Sequence, residues 1–310
     1  MKYLSELGMV LVTILWGANY VTCKLALDLG MTPNFYTALR FCGAAVVLAL
    51  IFHKRLRHLQ KDTLKAGIYI GLAVGIGYVL QTVGLTMTTA AKAGFLTGLY
   101  VVLVPVLDCI LKRILPKVNE LIGVAVATVG LAVLSLNADL SIGTGDIIVF
   151  ISAVFFAVSI IMIDRFAAQH DPIVLSVIQI AVSGILGLAL GLATEPVPTA
   201  GTFSTAMIAL ILYAIFFGSA VNTTVQNVAQ SKISPTTAAL ILVLEPVFSG
   251  LFAFLFLHEP LGIRELSGSG LIIAGMLFTL LYKPKTKVAK STILPPATKS
   301  CSASLHHTGS

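Results

Sequence analysis

The stretch Gly43-Ala-Ala-Val-Val-Leu-Ala-Leu-Ile-Phe52 contains no charged or polar side chain. It closes a longer apolar block that begins near Asn34, and Val10–Leu15 and Leu271–Leu281 are almost as apolar. Apolar blocks of about 20 residues span the roughly 30 Å hydrocarbon core of a bilayer. They do so as helices, because lipid offers no partners to backbone N–H and C=O groups. The sequence therefore predicts helices that cross a membrane.

The composition of the whole chain agrees with this prediction. Of the 310 residues, 57% are hydrophobic and 11% are charged, and the mean hydropathy is +0.98. Soluble domains carry roughly 25% charged residues, so this chain cannot cover a soluble surface. The net charge of +7 comes from residues between apolar blocks. Since no basic face of a soluble domain carries that charge, nucleic-acid binding is not predicted.

Ten apolar blocks follow one another along the chain, and the sixth is short. Three predicted helix starts have an N-cap residue followed by a proline at the first helical position, where proline loses no hydrogen bond: Thr32-Pro33, Asp171-Pro172 and Ser234-Pro235. We therefore predict an all-α integral membrane protein with ten transmembrane helices, over Leu7–Leu27, Asn34–Phe52, Ala66–Thr86, Ala93–Leu111, Glu120–Leu136, Asp146–Ile163, Ile173–Ala193, Thr205–Val228, Pro235–Leu257 and Glu265–Tyr282.

The positive charges predict how the helices are oriented. If the N-terminus is inside, 16 of the 20 Lys and Arg residues fall in inside segments, as the positive-inside rule requires. We expect a multi-pass protein of the cell (inner or plasma) membrane with both termini cytoplasmic. Residues 283–310 are rich in Lys, Ser, Thr and Pro, a composition that predicts a disordered cytoplasmic tail.

An internal repeat relates the two halves of the chain. When the chain is shifted by 145 residues, Gln81–Leu136 lies on Gln226–Leu281 without a gap, with Gly and Glu residues in register. Upstream, a shift of 140 places Trp16-Gly17 on Phe156-Ala157, and a shift of 139 places Pro33 on Pro172.

Each repeat contains five spans, the first within residues 1–137 and the second within 146–282. Because five is odd, the second repeat starts on the opposite side of the membrane from the first. Inverted repeats of this kind are the architecture of many secondary transporters. The two halves can then exchange conformations and open one central site to each side in turn.

Two charged residues inside predicted spans are candidates for function, because charge is costly there. Glu245 precedes Pro246, a residue that kinks helices. Three roles are open for Glu245: it contacts a substrate amine, it is a proton site, or it is a structural carboxylate. Arg40 lies in the outer half of the second span. Three roles are open for Arg40 as well: it binds a substrate carboxylate, it pairs with Glu245 as a gate, or its side chain extends to the outer interface.

Uncharged polar and aromatic residues inside other spans form a second group of candidates. Their side chains either line a site with amide and aromatic groups or hydrogen-bond neighbouring helices. They are Trp16, Asn19, Tyr78, Gln81, Asn222 and Gln226.

Several catalytic motifs are absent from the sequence. It has no Gly-x-x-x-x-Gly-Lys loop for ATP, no Gly-x-Ser-x-Gly elbow, no His/Glu metal cluster and no CxxC pair. We therefore predict no enzymatic activity, no cofactor and no bound metal.

Leu15-Trp16-Gly17-Ala18-Asn19-Tyr20 and Ala239-Leu-Ile-Leu-Val-Leu-Glu245-Pro246-Val247-Phe248 resemble EamA-type members of the drug/metabolite transporter superfamily. The resemblance covers about residues 5–282. It implies ten helices in inverted repeats around a central cavity. Aromatic-amino-acid exporters of this group carry several cavity tryptophans, whereas this chain has only Trp16. The resemblance also implies which residues lie near the cavity: Trp16, Asn19, Tyr78, Gln81, Phe95, Tyr100, Ser159, Asn222, Gln226 and Glu245.

We interpret the chain as a secondary transporter in the lipid bilayer, a monomer or a weak homodimer, that exports amino acids or similar small metabolites. A multidrug or nucleotide-sugar permease is an alternative within transport, although an anionic nucleotide sugar calls for several basic cavity residues. A non-transporting membrane scaffold or sensor is an alternative of another class. The sequence leaves open whether transport is coupled to protons.

Overall fold

A computed structural model describes residues 3–85, 87–88, 90–113, 115–135, 143–257 and 262–282. The predicted tail over 283–310 and most of the loop between the two repeats lie outside the described residues.

Ten apolar helices follow one another in the described part of the chain. Nine are long and apolar enough to cross a membrane, and the fifth is shorter. The sixth, predicted to be short, has 24 residues. The ten are α1 (Leu4–Asp28), α2 (Pro33–Ile51), α3 (Lys61–Leu85), α4 (Ala90–Gly98 and Tyr100–Lys112), α5 (Val118–Ser135), α6 (Thr144–Ala167), α7 (Pro172–Thr194), α8 (Thr205–Ile215, Phe216–Val221 and Asn222–Gln230), α9 (Pro235–Leu242 and Glu245–Leu257) and α10 (Ile263–Leu281).

The three helix starts predicted at prolines are present, but they are capped in different ways. Asp171 accepts a hydrogen bond from the Ile173 amide at the start of α7, at 2.9 Å. The Ser234 hydroxyl accepts one at the start of α9. The Thr32 side chain makes no such bond at the start of α2. The carboxylate of Glu195, which follows α7, accepts from the first amides of α2 instead.

Glycines allow two pairs of helices to approach closely, as small residues do between transmembrane helices. A Cβ atom on Gly71 of α3 would lie 2.8 Å from the Gln179 carbonyl oxygen of α7. In the pair α5–α10, a Cβ atom on Gly130 would lie 2.7 Å from the Gly268 carbonyl oxygen. The backbones of these pairs are therefore in direct contact.

Each of the main helix–helix contacts has a counterpart in which both helices are replaced by the ones five places further along the chain, with α1 following α10. Both segments of α9 pack on α1, as both segments of α4 pack on α6. Likewise α8 packs on α1 as α3 packs on α6, and α2 packs on α8 as α7 packs on α3. The pairs α2–α7, α4–α9 and α5–α10 map onto themselves. The two halves therefore interlock around a common centre and form a single body.

Candidate functional site

A cavity of about 70 Å³, partly open to solvent, lies where the two halves meet. The described residues of its wall are Trp16, Phe41, Val74, Tyr78, Gln81, Thr97, Tyr100, Phe156, Ser159, Ile160, Gln179, Ile180, Ser183, Thr223, Gln226, Leu242 and Glu245.

Glu245 lies on the cavity wall at a break in α9. The first segment of α9 ends at Leu242 and the second begins at Glu245. Pro246 has no N–H group to donate to the Leu242 carbonyl, so the helix ladder is interrupted there. The Glu245 carboxylate stands at the N-terminus of the second segment, where the helix dipole favours negative charge. It is partly buried and forms no ion pair with any residue that the structure describes.

The cavity wall follows the internal repeat. Tyr100 begins the second segment of α4, as Glu245 begins that of α9, and the two positions are 145 residues apart. Further repeat-related positions that both lie on the wall are Tyr78 with Thr223, Gln81 with Gln226, Thr97 with Leu242, Trp16 with Phe156 and Phe41 with Ile180. The cavity therefore sits at the centre that relates the two halves.

Amide groups and hydroxyl groups supply most of the polar surface of the cavity. The Gln81 amide donates to the Thr97 hydroxyl at 3.2 Å. Gln179 accepts a hydrogen bond from Asn227 at 3.0 Å, and Ser183 donates to the Gly71 carbonyl at 3.0 Å. Sequence analysis did not select Gln179 or Ser183. Both are polar residues inside the seventh apolar block, which is the signal that identified the other candidates.

Aromatic rings and four aliphatic side chains form the apolar part of the wall. The ring centroids of Tyr78 and Phe156 are 5.2 Å apart in an edge-on arrangement. Phe41 and Tyr78 are 5.3 Å apart. These rings and the indole of Trp16 give the cavity an apolar side that faces its amide groups.

Of the predicted site residues, Trp16, Tyr78, Gln81, Tyr100, Ser159, Gln226 and Glu245 lie on the wall. Asn19, Phe95, Asn222 and Arg40 do not. Asn222 is fully buried and donates to the Val12 carbonyl of α1 at 3.2 Å. Asn19 is buried against Gly218, and Phe95 packs on the main apolar core.

Arg40 lies behind the aromatic part of the wall. Its side chain is 5% exposed, so it does not extend to the outer surface of the protein. The guanidinium carbon is 4.2 Å from the Phe41 ring centroid and 4.8 Å from that of Tyr78. The described residues include no ion pair between Arg40 and Glu245, so the structure does not show the predicted gate.

Many apolar helices, with interlocking halves and a cavity at their common centre, define a multi-pass membrane protein. The EamA-like transporter family matches residues 4–136 and 143–281. The chain belongs to this family, within the drug/metabolite transporter superfamily, and it is a membrane transporter.

Similar proteins support the same conclusion. An uncharacterized transporter of Archaeoglobus fulgidus is 34% identical over 89% of this chain and 86% of its own length. The uncharacterized transporter YoaV of Bacillus subtilis is 24% identical over 91% of this chain and 98% of its own length. A solved crystal structure matches with a TM-score of 0.75 at 16% identity, over 89% of this chain and 96% of the other, which shows the shared fold.

Proposed function

We propose that this protein is an ATP-independent exporter of amino acids or similar small amphiphilic metabolites. The observation that supports this proposal is the Glu245 carboxylate on the wall of a cavity whose other described lining residues are uncharged: amide, hydroxyl, aromatic and aliphatic side chains. A carboxylate in this position pairs with a substrate ammonium group by a charge-assisted hydrogen bond.

The remaining parts of the cavity suit the rest of an amino acid. Gln81 and Gln226 offer hydrogen bonds from opposite halves, while Trp16, Tyr78 and Phe156 offer an apolar surface to a side chain. The described wall carries no Lys or Arg side chain. A nucleotide sugar, whose phosphates need several cations, is therefore disfavoured.

The proposed mechanism is alternating access by two inverted halves. Since each half has five helices, the halves run through the membrane in opposite directions. Repeat-related positions meet in the cavity, so exchanging the conformations of the halves turns the same wall toward the other side. The distribution of Lys and Arg supports both termini on the cytoplasmic side of the cell membrane, and tags on the two ends should report the same compartment.

Transport by purified protein in liposomes tests the function. We expect uptake of at least one amino acid from a panel of the twenty standard ones, driven by a concentration gradient without ATP. Glu245→Gln should reduce the rate at least about tenfold, because the loss of one charge-assisted contact to a buried cation costs more than about 1.4 kcal/mol.

Glu6→Gln is the matched control, because Glu6 lies in the first turn of α1, away from the cavity, and it should transport like the unchanged protein. If no amino acid moves and Glu245→Gln behaves like the control, both the substrate class and the site are wrong. Uptake of nucleotide sugars or hydrophobic cations in the same assay would support the permease alternative.

A further inference from the structure

Arg40 and Tyr36, one helical turn apart on α2, have three buried polar atoms that form no hydrogen bond within the described part of the chain. Arg40 is 5% exposed and Tyr36 is 2% exposed. Within the described part of the chain, Nε and Nη2 of Arg40 and the Tyr36 hydroxyl have no hydrogen-bond partner. The Tyr36 hydroxyl faces the guanidinium and the Thr22 side chain of α1. These donors therefore converge on one place between α1 and α2.

No acidic side chain forms an ion pair with Arg40 among the described residues. The groups that face it are Tyr78, Tyr36 and Cys23, together with the Phe41 ring, and none of these carries a negative charge in its ordinary state at neutral pH. Cation–π contacts with such rings stabilise the guanidinium, but taking an ion out of water costs more than those contacts supply. The rings thus offset only part of the cost of burying this charge.

The arrangement of donors determines the ligand that would satisfy them. Adjacent N–H groups of a guanidinium match the two oxygens of a carboxylate in a bidentate pair. A phenol hydroxyl beside them adds a third donor. A planar carboxylate therefore fits this place better than a spherical anion such as chloride.

The rings of Phe41 and Tyr78 lie between Arg40 and the cavity, because both rings contact the guanidinium and both lie on the cavity wall. Glu245, on the cavity wall, is close enough for its charge to interact with that of Arg40, although the two side chains form no ion pair.

We infer that Arg40 and Tyr36 form a carboxylate-binding station on the substrate path, reached from the cavity when the Tyr78 and Phe41 rings move. The inference rests on the proposed function for its substrate, which it narrows to metabolites that carry a carboxylate as well as an amine. Glu245 then holds the ammonium group and Arg40 the carboxylate.

Carboxylate binding to the purified full-length protein in detergent tests the station without any transport assay. The probes are propionate, its neutral isostere propionamide, and chloride at the same ionic strength, and the readout is the thermal unfolding midpoint. We expect propionate to raise the midpoint and the other two to leave it nearly unchanged. Arg40→Gln should weaken propionate binding at least about tenfold, because a buried charge pair loses one partner.

Arg57→Gln is the matched control, because Arg57 is exposed beyond the end of α2, and it should keep the full response to propionate. Tyr36→Phe removes one hydroxyl group and retains the ring, so it tests the station even if Arg40→Gln fails to fold. We expect it to weaken propionate binding several-fold.

Equal stabilisation by propionate and propionamide, or by propionate and chloride, would overturn the station. An unchanged propionate response in Tyr36→Phe and Arg40→Gln would do the same. If propionate binds through Arg40 but liposomes move no amino acid, the proposed substrate class fails and the station stands.

Discussion

At the scale of single residues, Tyr100 and Glu245 occupy equivalent positions in the two repeats, yet only Glu245 carries a charge. Each begins the second segment of a broken helix and lies on the cavity wall. Arg40 is likewise equivalent to Gln179, which lies 139 residues further on. Gln179 is uncharged and accepts a hydrogen bond from Asn227. The backbone of the site is thus twofold while its charges differ between the two halves, which would favour one orientation of the zwitterion proposed above.

Gly17 and Gly250 make a matched pair for the contact between α1 and α9. A Cβ atom on Gly17 would lie 2.6 Å from the Phe248 Cβ and 2.8 Å from the Ser249 amide nitrogen, whereas one on Gly250 would meet nothing within 4 Å. Gly17→Ala should therefore destabilise the protein by about 1–3 kcal/mol, because it overpacks the contact. Gly250→Ala should leave stability unchanged or raise it. Thermal unfolding in detergent measures both, and equal midpoints for the two variants would refute the close approach of α1 and α9.

The sequence predicted which polar residues lie inside the protein better than it predicted the direction in which they point. Asn222 was grouped with Gln226 because it is one turn earlier, but four residues rotate a helix by about 40° beyond a full turn. That rotation directs Asn222 to the Val12 carbonyl while Gln226 reaches the cavity. Gln179 and Ser183 carried the same signal, as polar residues inside an apolar block, but were not selected.

At the scale of helices, carboxylates hold α2 and α7 together at both ends. Glu195, after α7, accepts hydrogen bonds from the Asn34 and Phe35 amides at the start of α2, at 2.9 and 3.1 Å. At the other end, Asp171 caps α7 and forms an ion pair at 2.8 Å with Arg55, which follows α2. Because α2–α7 is also a pair that maps onto itself, we interpret it as a fixed part around which other helices move.

Removal of the Glu195 carboxylate should loosen this pair. Glu195→Ala leaves the first amides of α2 without their acceptor, and the loss of such a cap costs about 0.5–2 kcal/mol. Thr194→Ala is the control, because the exposed Thr194 hydroxyl bonds only the Leu190 carbonyl of its own helix. The unfolding midpoint should fall for Glu195→Ala alone. A fall of equal size in both variants would contradict the interpretation of Glu195 as a cap.

The helices could be predicted from the sequence because the length and polarity of each block decide whether it can cross a bilayer. The interruptions within the helices could be predicted only in part. Pro246 predicted the interruption of α9, but α4 is interrupted at Leu99 without a proline at the equivalent position, Val101. The wide-turn segment Phe216–Val221 within α8 has no proline either, so these irregularities arise from packing between helices.

At the scale of the whole molecule, the equivalence of the two halves explains why the cavity lies at their common centre. Contacts such as α1 with α9 and α4 with α6 are equivalent in the fold but join helices far apart in sequence. The internal repeat predicted that two halves exist and that they are related. It did not predict which helices meet across them, because that depends on side-chain packing over long sequence separations.

Access to one cavity position from both sides of the membrane tests alternating access most directly. Ser159 is on the cavity wall, and Ser152, about two turns earlier on α6, is fully buried and off the wall. In a protein whose four native cysteines are replaced by alanine, Ser159→Cys and Ser152→Cys would each be exposed to a membrane-impermeant maleimide from one side or the other. We predict that Ser159→Cys reacts from both sides, with a balance that substrate shifts, and that Ser152→Cys reacts from neither. Reaction of Ser159→Cys from a single side under every condition would contradict the account.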